Sequence, residues 1–215
     1  MKELFELKKA HSLIKREIEE RLSDFRKLRA ASEEKIFEEL SFCLLTPGAK
    51  AENCKKIIEA LKEKNLLFRG SRRELWPYLK YARFYDQKAC RLIEARGFFK
   101  ESGKLCIKSK VFSGEPEHIR EWLVKNVKGL GYKEASHFLR NIGLGENFAI
   151  LDRHILKRLK GYGVLREVPI SLTPKKYLEI EREMREFSKR AVIPLSHLDL
   201  LFFSDATGRS VKYCK

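Results

Sequence analysis

The sequence predicts an all-α fold composed of two helical lobes. In most segments the apolar residues recur at the spacing of an amphipathic helix, and no convincing run alternates apolar with polar residues. Gly, Pro or a helix-capping Ser or Thr separates one periodic segment from the next. A chain of 215 residues, 43% of them hydrophobic, can bury a core, and its length suits two small lobes.

The first third of the chain predicts three helices. Residues 2–29 contain neither Gly nor Pro and are rich in charge, which predicts one long helix. Four apolar residues lie at helical spacing on its predicted buried side: Leu7, Leu13, Ile14 and Ile18. Ser32 is the predicted N-cap of a second helix that ends at the turn 46–48. A third helix is predicted over residues 49–64.

Aromatic rings are interleaved with basic side chains in residues 75–100. The rings are Trp76, Tyr78, Tyr81, Phe84 and Tyr85, and the basic residues include Lys80, Arg83 and Lys88. This mixture suits stacking on nucleic-acid bases and contact with phosphates. Ordinary aromatic packing inside a helical core explains the rings equally well, so both interpretations stay open.

Four further helices are predicted in the remainder of the chain, besides the one that follows residues 128–133. A break at 114–116 precedes an amphipathic helix that ends near Val127, and another helix covers residues 152–160. Thr173 followed by a proline is a strong start signal for the next helix. Pro194 opens the last apolar helix.

The charge balance favours a polyanionic partner. The 46 Lys and Arg exceed the 30 Asp and Glu by 16, which suits phosphate contacts and counterion release. Nucleic acid is therefore the leading partner, although lysines scattered over a solvated surface would give the same sum. The high charged fraction, 35%, with a single Gln, is typical of proteins selected for heat resistance.

No segment predicts a membrane span, a signal peptide or a metal site. Apolar runs stay well short of the roughly 18 residues that a spanning helix needs, and the N-terminus is charged. We therefore expect no membrane association and a cytoplasmic protein. The five cysteines are far apart and no His cluster accompanies them, so neither zinc nor a disulfide framework is indicated.

Residues 128–133 predict a helix–hairpin–helix motif. Gly129 and Gly131 separate two amphipathic helices, and glycine permits backbone angles that other residues resist. Four apolar residues lie on the predicted buried side of the second helix: Ala135, Phe138, Leu139 and Ile142. Unpaired amides of the turn and of the next helix's N-terminus would point outward together and form an anion site for a DNA phosphate. A lone Gly-x-Gly is weak evidence, but the amphipathic flanks and the basic charge strengthen it. Such a grip does not depend on base sequence.

Two residues near the hairpin could carry chemistry. Lys133 lies in the first turn of the second helix, where the helix dipole, Lys128 and burial would favour the neutral amine that acts as a nucleophile. A lysine that only touches phosphate is the alternative. Asp152 is predicted at a helix N-cap, where it could stabilise a cationic sugar or simply cap the helix.

The motif Gly-Leu-Gly-Tyr-Lys, with Asp152 nineteen positions after Lys133 (152 − 133), resembles the signature of the helix–hairpin–helix DNA glycosylase superfamily. The match covers the chain from about Ser32. Its short length, the segment 84–89 and the C-terminal segment 194–215 are similar to the archaeal-type, type 2, 8-oxoguanine DNA glycosylases. The iron–sulfur cysteines of endonuclease III relatives are missing, since Cys214 stands alone at the C-terminus.

The resemblance implies a bifunctional DNA repair glycosylase and β-lyase that excises 8-oxoguanine from double-stranded DNA through a lysine Schiff base. It implies Lys133 and Asp152 as catalytic residues. The DNA-binding residues would be Lys128, Gly129, Gly131, His154 and Lys88. The base-recognition residues would be His137, Pro194, Asp199, Phe203 and Lys215. A buried histidine, a core Phe203 and a surface Asp199 are the structural alternatives for three of these residues.

The resemblance also implies how the lobes are built. Residues 31–143 would form one lobe, and residues 1–30 with 144–215 the other, with the active-site groove between them. We expect a monomer with no metal or organic cofactor, nucleoid-associated in a prokaryotic cell. The chain departs from its relatives at Gly48, where they often carry a Gln that fills the gap left by the flipped base. The residue that fills the gap therefore stays open.

Two other functions remain open. A glycosylase of the same superfamily could act on another damaged or mismatched base, and the base-recognition residues would distinguish it. A non-enzymatic protein could use the hairpin only as a phosphate clamp, in which case Lys133 and Asp152 would be dispensable for every activity.

Overall fold

The computed structural model of the chain describes residues 2–80, 82–208 and 210–211. In these ranges the secondary structure is helical apart from one two-stranded hairpin, so the predicted all-α class is confirmed. Two compact units are present: one comprises residues 28–142, and the other joins residues 1–27 to residues 143–215.

The helices follow one another with short connections. In chain order they are α1 (Lys2–Lys27), a 3₁₀ turn (Leu28–Ala30), α2 (Glu33–Leu45), α3 (Ala51–Glu63), α4 (Leu66–Arg69), α5 (Arg72–Leu79), α6 (Tyr85–Phe98), α7 (Lys108–Val111), α8 (Pro116–Asn126), α9 (Tyr132–Asn141), α10 (Arg153–Gly161), α11 (Pro174–Ala191) and α12 (Leu195–Thr207). The antiparallel strands β1 (Lys100–Glu101) and β2 (Lys104–Leu105) separate α6 from α7. The sequence did not predict these strands, because two residues are too few to show an alternating pattern.

Helix α2 lies at the centre of the 28–142 unit. All residues from Ile36 to Leu45 are buried, so this helix is enclosed on every side rather than amphipathic. It packs against α3, α6 and α9. The predicted N-cap is confirmed, because the Ser32 hydroxyl accepts a hydrogen bond from the Lys35 amide at 3.3 Å. The central helix thus provides a fixed base for the hairpin helix α9.

Helix α12 is the centre of the other unit and contacts α1, α10 and α11. The buried stripe of α1 consists of Leu7, His11, Ile18, Leu22 and Phe25. The prediction for Leu13 is wrong, since its side chain is 78% exposed, and Ile14 is only half-buried. Leu13 is two positions from His11, which at about 100° per residue turns it away from the stripe. The buried face of α1 instead contains His11, which the pattern of apolar residues did not identify.

Two contacts fix α1 within its unit. The buried rings of His11 on α1 and His197 on α12 share a hydrogen bond of 2.9 Å between Nε2 and Nδ1. Gly143 has a φ of +77°, and a Cβ there would lie 2.7 Å from the Cα of Arg26. The backbone of the chain therefore passes against the end of α1 too closely for any side chain. Among the described residues, no helix is long and apolar enough to cross a membrane.

Candidate active site and DNA-binding hairpin

The hairpin between α8 and α9 needs a glycine conformation at Gly129, as its sequence predicts, but not at Gly131, whose φ of −93° is open to any residue. Gly129 adopts a φ of +97°, in the left-handed region that favours glycine. A Cβ at Gly129 would also lie 2.5 Å from Cδ of Arg91, so the arginine side chain crosses directly over this glycine. Gly129 is required both for the turn and for the close approach of Arg91.

The hairpin presents amides and cations together. Within the described part of the chain, the amides of Gly129 and Gly131 have no hydrogen-bond partner, which leaves them available to an anion. Lys128 is exposed, and its Nζ lies 3.3 Å from Glu94 on α6. Arg91, on the same helix, brings a second cation to the turn. These features are those expected of a phosphate-binding hairpin.

Helix α9 is held by its apolar face. Ala135, Phe138, Leu139 and Ile142 have no exposed surface, as the sequence predicts. Burial of each of the three large side chains contributes about 1.5–3 kcal/mol, which fixes the rotation of the helix about its axis. On the same helix, Asn141 donates a hydrogen bond of 3.2 Å to the buried carboxylate of Glu39 on α2. The first turn of α9, which carries Lys133, is therefore held in place.

Lys133 lies partly exposed beside a carboxylate. Its side chain is 28% exposed, and its Nζ donates a hydrogen bond of 3.0 Å to Oε1 of Glu134. The sequence predicts effects of the helix dipole, burial and Lys128 on this amine but not the contact with Glu134. Adjacent positions of a helix do not normally face each other, so sequence adjacency alone does not predict such a contact.

Asp152 is the N-cap of α10, as predicted. Its Oδ1 accepts hydrogen bonds from the amides of His154 at 2.8 Å and Ile155 at 2.9 Å. The side chain is half-buried, and its Oδ2 has no partner in the part of the chain that the structure describes. One oxygen thus fixes the orientation of the carboxylate, while the other remains available to a developing positive charge.

The segment before Asp152 is anchored to α11 by buried polar groups. The Glu181 carboxylate accepts a hydrogen bond of 2.9 Å from the Ala149 amide. The Tyr177 hydroxyl accepts from the Leu151 amide at 3.3 Å and donates to the Ala149 carbonyl at 2.5 Å. These bonds satisfy an extended stretch of backbone that would otherwise be buried without partners. These hydrogen bonds fix the backbone directly before Asp152 and therefore the position of this residue at the start of α10.

Two predicted DNA contacts differ in their exposure. His154 is exposed at the start of α10 and its side chain can reach solvent. Lys88 is fully buried in α6, and its Nζ has no hydrogen-bond partner among the residues described. Burial lowers the pKa of Lys88. Lys88 therefore has no exposed surface in this structure at which a phosphate could bind, although the sequence predicts a DNA contact there.

The aromatic residues before α6 lie mostly at the surface. Trp76 and Phe84 are half-exposed, and the Trp76 ring contacts Tyr85 with 5.8 Å between centroids. The guanidinium of Arg83 lies 4.7 Å from the Phe84 ring centroid. Phe84 has a φ of +60°, which is unusual for a bulky residue. Core packing therefore does not account for Trp76 and Phe84, and Tyr81 lies outside the described residues.

The candidate base-recognition residues fall in both units. His137 is buried on α9, with its ring 5.8 Å from that of Phe42 in an edge-to-face arrangement. Pro194 is the N-cap of α12, and its carbonyl accepts from the amides of His197 and Leu198 at 3.0 Å each. Their roles toward a base remain predictions.

The rest of α12 decides one of the structural alternatives. Asp199 is 4% exposed, so the interpretation of this residue as a surface charge is wrong. Phe203 is half-buried rather than enclosed in the core. Lys215 lies outside the described residues. Base recognition by Asp199 and Phe203 stays a prediction.

The fold and the hairpin together define a helix–hairpin–helix DNA glycosylase. Residues 18–193 match the family model for 8-oxoguanine DNA glycosylase, in its helix–hairpin–helix form. Because the matched region exceeds half of the chain, the protein belongs to this 8-oxoguanine DNA glycosylase family.

Individual relatives agree with the family model. An 8-oxoguanine DNA glycosylase/AP lyase of Fusobacterium nucleatum is 42% identical over 206 residues, which cover 94% of each chain. The Methanocaldococcus jannaschii protein of the same name is 40% identical and covers 99% of each chain. The crystal structure of the M. jannaschii 8-oxoguanine glycosylase/lyase, in complex with a 15mer DNA containing 8-oxoguanine, superposes with a TM-score of 0.87. That match has 36% identity and covers 98% of this chain and 99% of the other.

Proposed function

We propose that this chain removes 8-oxoguanine from damaged DNA and then cleaves the strand at the resulting abasic site, with Lys133 as the nucleophile. Full-length similarity to proteins named 8-oxoguanine DNA glycosylase/AP lyase supports the activity. A local observation supports Lys133 as the nucleophile: it directly follows a hairpin whose Gly129 and Gly131 amides have no partner in the described part of the chain, and part of its side chain is accessible. An amine in that position can reach a nucleotide whose phosphate the hairpin holds.

The proposed chemistry has two stages. The damaged nucleotide is first extruded, because C1′ is inaccessible inside the stacked duplex. The lone pair of the Lys133 amine then forms a bond to C1′ as the electron pair of the C1′–base bond leaves with 8-oxoguanine. Ring opening at O4′ and loss of the amine proton give the Schiff base. Removal of a C2′ proton expels the 3′ phosphate by β-elimination.

Asp152 is proposed to stabilise the positive charge that develops on the sugar. Its Oδ1 is held by two amides, so the carboxylate needs no reorganisation during the reaction. Removing such a preorganised group typically costs about 10²–10³-fold in rate. Asn in the same place would keep the cap and lose the charge, which allows the two roles to be separated.

DNA binding is proposed to use the hairpin and the basic surface around it. The free amides of Gly129 and Gly131 would bind a phosphate of the damaged strand, with Lys128 and His154 as further contacts. Pro194, Asp199, Phe203 and Lys215 are proposed to recognise the modified base, with His137 as a wall of its pocket. Deleting the last few residues should weaken 8-oxoguanine excision more than cleavage at an abasic site. Equal losses of the two activities would contradict recognition of the base by the C-terminal residues.

The catalytic proposal is tested by borohydride trapping on duplexes that contain 8-oxoguanine. The wild-type protein should form a covalent complex, and Lys133→Gln should form none, because an amide cannot make a Schiff base. Lys128→Gln serves as the matched control: it should weaken DNA binding and still allow trapping at saturating protein. If Lys133→Gln were trapped, another residue would be the nucleophile. If the wild-type protein were not trapped, the lyase mechanism would be refuted.

The protein is also proposed to act as a monomer in the prokaryotic cytoplasm, on the nucleoid. The residues proposed for chemistry, DNA binding and base recognition are supplied by one chain. Light scattering coupled to size-exclusion chromatography should give the mass of one chain without DNA, and the mass of one chain plus one duplex when DNA is bound. A dimer that persists at nanomolar concentration would contradict this proposal.

A further inference from the structure

The carboxylate of Glu134 contacts the amine that the proposed function makes the nucleophile. Nζ of Lys133 and Oε1 of Glu134 are 3.0 Å apart, a distance at which a proton can pass directly between them. The Glu134 side chain is only 14% exposed, so the carboxylate does not sample solvent freely. Glu134 lies in the first turn of α9, where the helix dipole stabilises its negative charge.

Gly131 provides the space in which this carboxylate lies. Its φ of −93° and ψ of −177° are open to any residue, so the backbone does not explain a glycine here. A Cβ at Gly131 would lie 3.3 Å from Oε2 of Glu134, closer than Cβ contacts normally are. Gly131 thus differs from Gly129: the absence of a Cβ at Gly131 avoids a tight contact with the Glu134 carboxylate in its position beside the amine.

Arg140 and Glu39 lie, like this pair, in the surroundings of Cys43, and both form hydrogen bonds with Asn141. Arg140 donates a hydrogen bond of 3.1 Å to Asn141, and the Glu39 carboxylate accepts one of 3.2 Å from the same residue. Lys35 approaches the other oxygen of Glu39 at 3.6 Å. Glu134 is the acid placed within hydrogen-bond distance of Lys133 in the described part of the chain.

We propose that Glu134 is the base that removes the proton from the Lys133 ammonium once DNA covers the pair. This inference rests on the proposed function. One proton moves from Nζ to Oε1, which leaves a neutral amine and a neutral carboxylic acid. The amine lone pair is then free to bond to C1′. No further reactant is needed.

The physical basis is the change of medium when DNA binds. In water, an ammonium group keeps its proton against a carboxylate, so solvent favours the charged form of such a pair over the neutral form. Covering the pair with DNA excludes water and raises the free energy of both charges. Transfer of one proton neutralises the two ions in a single step and removes that cost. The nucleophile is therefore released only in the complex, where the sugar is present.

The test compares pH–rate profiles of single-turnover excision and borohydride trapping between pH 6 and 9. Glu134→Gln preserves the shape of the side chain but cannot accept the proton. At pH 7 we expect about a 10²–10³-fold loss, within the usual contribution of a general base. The rate of this variant should then rise about tenfold per pH unit, because hydroxide replaces the missing base. The wild-type profile should be flatter.

Three further variants make the result specific. Glu134→Asp retains a carboxylate with a shorter reach and should recover part of the pH 7 rate. Gly131→Ala places a Cβ 3.3 Å from Oε2 of Glu134, so the carboxylate must shift slightly and the steeper pH dependence should appear in weaker form. Glu117→Gln removes an equal charge from an exposed position on α8 and should match the wild type. Thermal unfolding of each variant confirms that it is folded.

Defined outcomes would overturn the inference. A Glu134→Gln rate equal to or above that of the wild type would show that the pair only holds the amine charged. A loss of the same factor at every pH would indicate a positioning role instead. Either result leaves the proposed function intact, since that function is decided separately by whether Lys133→Gln can be trapped.

Discussion

Replacing Asp152 by Asn and by Ala separates helix capping from chemistry. Oδ1 accepts two amide hydrogen bonds at the start of α10, at 2.8 and 2.9 Å. Asn offers an amide oxygen at the same place and is as good an N-cap as Asp. Ala removes both bonds and leaves two amides of the first turn to solvent. Only Asp carries the negative charge that the proposed reaction needs.

The magnitudes follow from this geometry. Loss of an N-cap costs about 1 kcal/mol, within a range of 0.5–2, so Asp152→Ala should lower the free energy of unfolding by that amount. For a chain of this size, each kcal/mol lowers Tm by about 2–4 °C. Asp152→Asn should stay within about 0.5 kcal/mol of the wild type. Both variants should lose roughly 10²–10³-fold in the rate of base excision, because both lack the charge.

The assays are urea or thermal unfolding and single-turnover excision on a duplex with one 8-oxoguanine. Thr173→Ala is the matched control, since the Thr173 hydroxyl caps α11 with one bond of 3.3 Å from the Lys176 amide. That variant should lose comparable stability and retain excision. If Asp152→Asn excised the base at the wild-type rate, Asp152 would only cap α10 and would have no catalytic role. An Asp152→Ala protein as stable as the wild type would refute the capping argument.

Three further predictions concern stability within the unit that contains α1 and α12. Burial lowers the pKa of both His11 and His197, so the unfolded state binds more protons below a pH of about 6.5. Urea denaturation should therefore show stability falling as pH drops from 7 to 5, with a shallower fall in His11→Gln; equal slopes would contradict this. Gly143→Ala should lower the free energy of unfolding by roughly 2–4 kcal/mol, because the φ of residue 143 is +77° and the new Cβ would lie 2.7 Å from the backbone of Arg26. A loss under 1 kcal/mol would show that the chain relaxes there. Val192→Gly should raise the free energy of unfolding by roughly 0.5–1 kcal/mol and raise Tm, because Val192 is an exposed β-branched residue with a φ of +56°. A lower Tm would mean that the strain of the left-handed backbone is small.

Local signals predicted the helices well. The caps at Ser32 and Thr173, and the apolar face of α9, depend on residues within a few positions of one another. Interactions of that kind are visible in a linear sequence. The prediction for Leu13 failed because a helix buries whichever face meets its neighbours, and here that face carries His11. Its partner His197 lies 186 positions away, beyond the reach of periodicity.

By itself, the sequence determined the helical class, the hairpin and the family, and it singled out Lys133 and Asp152. Those conclusions rest on residue types at fixed short spacings, which local chemistry controls. Tertiary structure decided the surroundings. In the folded chain Lys88 and Asp199 are buried, and the side chain of Arg91 lies against Gly129. Even the contact between Lys133 and its neighbour Glu134 became evident only once α9 was fixed by its buried face, because the direction of a side chain depends on how its helix is packed.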